Sequence, residues 1–189
     1  GRNCGTTPTE PAPPLSCSEV PAQAAALFTR NHFPGAPVIV GRERAAGGLL
    51  QAIVANSKVS NVATGEPGIE DARRMGRAAA RELGIAEELV LMSSTGVIGR
   101  RLPLEKIEAG LAGIASALGD DPWPAARGIM TTDSHPKVIS SSVGSATITA
   151  VAKGAGMISP NLATMLVFIF TDAEIPARIL RDLLGSAAD

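Results

Sequence analysis

The chain has 189 residues, 45% of them apolar and 19% charged, which is enough for one packed domain and excludes wholesale disorder. A net charge of −1 argues against a nucleic-acid surface, and no apolar run approaches the ~20 residues of a membrane span. Two cysteines, Cys4 and Cys17, without a signal-peptide pattern are too few for a secreted disulfide framework, so the expected setting is cytoplasmic.

Residues 1–19 read as an irregular leader rich in Pro and Thr. Short strands are predicted over 24–29, 37–41 and 50–55, separated by Gly- and Arg-rich turns. A helix is predicted over 69–83, with Ile69, Ala72, Met75, Ala79 and Leu83 on one stripe and Gly84 as its C-cap. An apolar strand over 89–92 leads into a turn of small residues. A second helix follows Pro103, with Leu104, Ile107, Leu111, Ile114 and Leu118 on its inner stripe and Gly119 ending it. Residues 140–152 alternate around Val143, Gly144 and Ser145 as a hairpin. The apolar run 165–170 reads as a strand buried on both faces, and 176–184 as a closing helix. Interleaved strands and helices give an α/β, layered fold.

Two segments carry chemistry. Between Lys153 and Met165 a turn rich in Gly, Pro and Asn ends at a lone hydroxyl residue, Thr164, preceded by the small Ala163. Cleavage of the Ala163–Thr164 bond would give Thr164 an α-amine with a pKa of roughly 7.7–8.0, able to act as base for its own hydroxyl. The plainer alternative is a Thr that opens a strand. The second segment is Ser94, Thr95 and Gly96, whose hydroxyls and N–H groups follow a strand and suit an oxyanion; the plainer alternative is a loop with a helix cap. His32 and His135 are too few and too isolated for a metal site, so none is expected. Arg73–Arg74 and Arg100–Arg101 read as solvated pairs.

With the stretches 56–57, 64–66, 68–75, 94–99, 130–133, 153–157, 160–161 and 163–165, the chain resembles the ornithine acetyltransferase family, the glutamate N-acetyltransferases of the cyclic arginine pathway. The resemblance runs from about Val20 to Asp189. It implies a helix–sheet–sheet–helix sandwich and a precursor that cuts itself at Ala163–Thr164. It also implies a nucleophile, Thr164, that takes acetyl from N-acetylornithine and passes it to glutamate. By the same resemblance Thr95 and Gly96 form the oxyanion hole, and Thr131, Lys153 and Thr164 contact substrate. No cofactor is implied, with acetyl-CoA left open as a further donor. The implied partners are the small-molecule substrates and an α/β subunit pair that assembles further, with no nucleic acid and no membrane.

The family pattern Ser-Gly-Asn-Ala-Asn-Ala is replaced here by Ser57, Lys58, Val59, Ser60, Asn61 and Val62. Residues 20–163 then correspond to the first subunit and 164–189 to the start of the second, a C-terminally truncated version of the family fold. The alternatives are an inactive remnant and an amidohydrolase that uses the same N-terminal Thr.

Overall fold

The computed structural model describes residues 3–4, 13–154 and 165–188. The elements are β1 (Asn3–Cys4), β2 (Leu15–Gln23), α1 (Ala36–Ala45), β3 (Leu49–Asn56), α2 (Gly65–Leu83), β4 (Val90–Ser94), α3 (Leu104–Leu111), α4 (Trp123–Gly128), β5 (Lys137–Val143), β6 (Ala146–Lys153), β7 (Leu166–Thr171) and α5 (Ala177–Ala188). They build two sheets: β1-β2-β3-β4, antiparallel except for the parallel β3–β4 pair, and an antiparallel meander β5-β6-β7. This is the two-sheet α/β architecture expected. Among the described residues no helix is long and apolar enough to cross a membrane.

The main core forms where β3 and β4 face α2. Ala52 and Val54 of β3 and Val90 and Met92 of β4 pack with Ala72, Met75 and Ala79 of α2. Small residues on α2 let the helix approach closely: a Cβ on Gly76 would lie 2.6 Å from the Met92 sulfur. The α2 stripe and its cap follow the predicted period, and Gly84 takes the left-handed conformation, φ 66°. A second, smaller core joins Ala55 of β3 to Ala125, Ala126 and Ile129 of the α4 region and to Val151 of β6. That core couples the two sheets.

Several local expectations are corrected. Residues 37–41 lie in α1, not in a strand: Pro37 suits a first helical turn, and Val40 and Gly41 pack inward. A Cβ on Gly41 would lie 3.0 Å from Phe28, so tertiary packing overrides the β preference of Val38, Ile39 and Val40. The strand expected at 24–29 lies upstream as β2, beginning inside the stretch read as irregular leader. Leu15, at 1% exposure, pairs with Val54, and that burial anchors the strand. The register slips between Cys17 and Ala22, a stretch that contains Pro21, which cannot donate to the ladder.

The second predicted helix stops at Leu111, because Gly113 turns left-handed (φ 72°) and its N–H reaches Glu82 Oε2 at 2.9 Å. Ile114 is still buried, by a short 3-10 turn. Strand β7 is not buried on both faces: Phe168 packs inward while Val167 and Ile169 are exposed. The 140–152 hairpin is observed as β5–β6, closing through Gly144 at φ 61°. The closing helix is α5.

Met75 is fully buried at the centre of the α2 contact. Met75→Ala should lower the unfolding free energy by about 2–5 kcal/mol, read by urea denaturation with an unchanged slope.

Candidate functional site

The site begins where the parallel pair β3–β4 ends. Asn56 and Ser94 are the last paired residues, and both chains leave the sheet together. The Thr95 N–H donates to Asn56 O at 2.9 Å, Val97 N–H to Lys58 O at 3.0 Å, and Gly99 N–H to Val62 O at 2.8 Å. In return the Ser60 N–H and hydroxyl both donate to Val97 O at 2.9 Å. The two loops thus extend the parallel ladder beyond the sheet, at the carboxyl ends of strands where open α/β sheets bind ligands. Gly96 lies between them at φ 130°, and a Cβ there would fall 2.2 Å from the Lys58 carbonyl carbon. Its N–H donates to neither loop, in contrast to those of Thr95 and Val97.

The 56–62 loop and the residue after it bend through three left-handed residues with side chains: Lys58 (φ 78°), Asn61 (φ 53°) and Ala63 (φ 59°). Lys58 stands where the family pattern has Gly, so the departure seen in the sequence falls on a backbone position that favours glycine. Asn61 is fully buried; its amide donates to Gly68 O at 2.8 Å and its carbonyl accepts the Thr64 hydroxyl at 2.8 Å. Asn tolerates this conformation because its side chain bonds locally.

Three separate stretches then converge. Lys153, at the end of β6, is 6% exposed, and Thr95 is 1% exposed. The Lys153 ammonium donates to Thr95 Oγ1 at 3.0 Å and to Thr131 Oγ1 at 2.9 Å. Among the described residues its third N–H has no protein acceptor. The Ser57 hydroxyl donates to Met130 O at 2.8 Å, tying the 56–62 loop to the Thr131 segment.

Asp133 lies behind this cluster, its side chain 2% exposed. Its Oδ1 accepts from Lys137 Nζ at 2.7 Å and from the Gly154 N–H at 2.8 Å, and its Oδ2 from the Thr131 N–H at 3.4 Å. Burial by itself raises the carboxyl's pKa. The Lys137 ammonium and the two N–H groups outweigh it and hold the pKa down to about 2.

Thr95, Thr131 and Lys153 are therefore brought together, with Gly96 beside Thr95. Ala163 and Thr164 lie outside the described residues. Neither Ser94 nor Thr95 caps a helix, since α3 begins only at Leu104. The Ser94 hydroxyl is instead buried without a hydrogen-bond partner among the described residues. Arg101 is not merely solvated: it makes a two-pronged pair with buried Asp71, bracing the chain after Gly99 against α2. Arg74 likewise pairs with Glu108 through two contacts of 2.7 Å. His135 contacts the Ser134 hydroxyl at 3.0 Å in an exposed stretch.

Sequence reasoning missed the roles of Asp133, Ser57 and Asn61. An Asp two residues after a Thr is a turn signal that could have drawn attention to Asp133. Two open hollows, of about 480 and 520 Å³, are lined by charged residues including the paired Arg74 and Glu108 and the paired Arg73 and Glu43, and neither includes a residue of the cluster.

A two-sheet α/β scaffold with a buried lysine held by hydroxyls at the strand ends defines a class of site suited to an anionic or carbonyl-bearing ligand. The chain belongs to the ArgJ family, whose model matches residues 3–189. It is 47% identical over 173 residues to the arginine biosynthesis bifunctional protein ArgJ 2 of Clostridium acetobutylicum, an alignment covering 91% of this chain and 45% of that protein. It is 45% identical over 159 residues to the glutamate N-acetyltransferase Oat2 of Streptomyces clavuligerus, covering 84% of this chain and 40% of that one. The chain thus spans about half the length of the curated relatives it matches. Its fold matches the crystal structure of ornithine acetyltransferase from Mycobacterium tuberculosis complexed with ornithine, with a TM-score of 0.67 and 31% identity, over 82% of this chain and 83% of that one.

Because the folded-state pKa of Asp133 lies below its ordinary 3.8, its stabilisation is present above that value and is lost as pH falls through 2. Wild type should therefore lose up to about 2 kcal/mol between pH 5 and pH 2 that Asp133→Asn does not lose, measured by denaturant unfolding across that range.

Proposed function

We propose that this chain carries the acyl-transfer centre of an ornithine acetyltransferase, moving acetyl from N-acetylornithine to glutamate through an ester on Thr164. The observation that carries the reading is the Lys153 ammonium set between the Thr95 and Thr131 hydroxyls, three residues from separate stretches of chain. The names of the relatives support the substrate class.

Maturation comes first. The Thr164 hydroxyl oxygen attacks the Ala163 carbonyl, the C–N bond breaks, and the acyl group shifts from nitrogen to oxygen. Water then hydrolyses the ester, leaving the Ala163 carboxylate, the Thr164 hydroxyl and a new α-amine. The two pieces stay together as a subunit pair that assembles further. In the reaction the α-amine takes the hydroxyl proton while Oγ attacks the acetyl carbon of N-acetylornithine. Collapse expels the ornithine nitrogen, which receives that proton. The neutral amine of glutamate then attacks the acetyl ester, and its proton returns to Thr164 Oγ.

Both tetrahedral intermediates place negative charge on the former carbonyl oxygen. Thr95 suits this oxygen because its hydroxyl oxygen already accepts from Lys153, so its single proton is left to donate. Gly96 adds a backbone N–H that neither loop uses. The Lys153 charge, in a buried setting, strengthens both donors and attracts the carboxylate of the amino-acid substrate. The transfer needs no cofactor, since one amine replaces another on the same acyl group; acetyl-CoA would be a second donor to the same Thr164.

Mass spectrometry of the purified protein should find a piece beginning at Thr164, and Thr164→Ala should give one uncut chain. Efficient cutting of that variant would overturn the nucleophile assignment, and release of acetate in place of N-acetylglutamate would mark a hydrolase. In the cleaved enzyme, Thr95→Ala should lower kcat by roughly 10²–10³ with substrate affinity nearly unchanged. A change confined to KM would make Thr95 a substrate contact.

A further inference from the structure

The transfer reading uses Thr95, Gly96, Thr131, Lys153 and Thr164, and gives no task to Asp133, the buried carboxylate behind them. We propose that Asp133 is the positioning residue of this site: one carboxylate grips the backbone at Thr131 and at Gly154 and so fixes both elements between which the Lys153 ammonium is held. The kinetic consequence rests on the transfer reading; the positional one rests on the geometry alone.

The place of the grip is informative. Lys153 is the last β6 residue paired with β7, opposite Leu166, and beyond it the ladder stops. Gly154 follows at φ 108°, a conformation that residues with side chains rarely adopt. A permissive joint of the backbone therefore adjoins the lysine. Asp133 Oδ1 takes the N–H at that joint at 2.8 Å, closing off its rotation. The same oxygen takes Lys137 Nζ at 2.7 Å, and Lys137 opens β5 opposite Ala152, the residue before Lys153. Through Oδ2 the carboxylate reaches the Thr131 N–H, the residue whose hydroxyl accepts from Lys153. Each arm of the Lys153–Thr131 bond is thus fastened to one group.

Asp133 makes no hydrogen bond or ion pair to the Lys153 ammonium. It acts through the main chain and not as an ion-pair partner, which leaves the lysine's charge available to a ligand. A buried carboxylate is also a restrictive clamp, since leaving it without donors is costly and few other arrangements would satisfy it.

The test separates positioning from general stability. Lys153 is protected by burial, so its modification by acetic anhydride, read by peptide mass spectrometry, reports its placement. Asp133→Asn should raise Lys153 modification about tenfold under native conditions, as a local opening of the site. Amide signals of Gly154, Thr131 and Thr95 should shift together. In the active enzyme kcat should fall about 10- to 100-fold, with KM changing far less, as displacement of a positioned group does. Asp133→Glu, which keeps the charge and moves it by one methylene, should also raise the modification, and covers the case in which Asp133→Asn does not fold. Arg74→Met, which breaks the α2–α3 ion pair, should leave Lys153 modification at the wild-type level.

Unchanged modification and amide signals in both Asp133 variants would overturn the proposal, as would an equal rise in Arg74→Met. If the wild-type chain neither cleaves nor transfers acetyl, the transfer reading fails, while modification and amide signals still decide the position of Lys153.

Discussion

Everything at the site depends on two loops that continue a parallel strand pair past the end of its sheet. Residues 56–62 and 94–99 hold one another by backbone hydrogen bonds in both directions, so neither loop is placed by its own turn chemistry. The price is strain: Lys58, Asn61 and Ala63 occupy left-handed backbone, and Gly96 must lack a Cβ to pass the Lys58 carbonyl. Strain of this kind persists only where surrounding structure over-determines it. Here the surroundings are the Asn61 bonds to Gly68 and Thr64, and the Arg101–Asp71 pair that braces the chain just beyond. Thr95 and Gly96 are held in place by the bonds between the two loops.

The second constraint is electrostatic. Lys153 is buried, and a buried ammonium is tolerated only where hydrogen bonds replace water. Hydroxyls supply that replacement without cancelling the charge, which a carboxylate would do. The nearby carboxylate, Asp133, is engaged instead by Lys137 and by main-chain N–H groups. The division leaves the Lys153 cation at the strand ends without a carboxylate partner among the described residues, a setting that suits an anionic ligand. The small core around Ala55, Ala126 and Val151 keeps the two halves of that arrangement in contact.

An α/β scaffold by itself says little about chemistry, since such folds host many unrelated functions. What narrows the reading is ArgJ membership together with the convergence of Thr95, Thr131 and Lys153. The chain spans about half the length of the curated relatives it matches, so the reaction itself belongs to the proposal.

The sequence by itself determined the elements whose signals are local. The α2 stripe and its Gly84 cap, the β5–β6 hairpin and the closing helix could all be read from spacing and turn chemistry, Thr95 from the small-residue turn after its strand, and Thr131 and Lys153 only from the family resemblance. It misassigned 37–41, where β-branched residues favour a strand and packing against Phe28 and Leu91 makes a helix. It carried the second helix past Leu111, because the apolar stripe continues to Ile114 although Gly113 breaks the backbone. It also read Leu15 as leader, because a partner strand almost forty residues away supplies its burial. Only the tertiary structure decided that Lys153 rests on hydroxyls and Asp133 on backbone N–H groups. Apart from the local Thr131–Asp133 contact, those pairings join residues far apart in the chain, and their energies come from burial and exclusion of water, which no local pattern records.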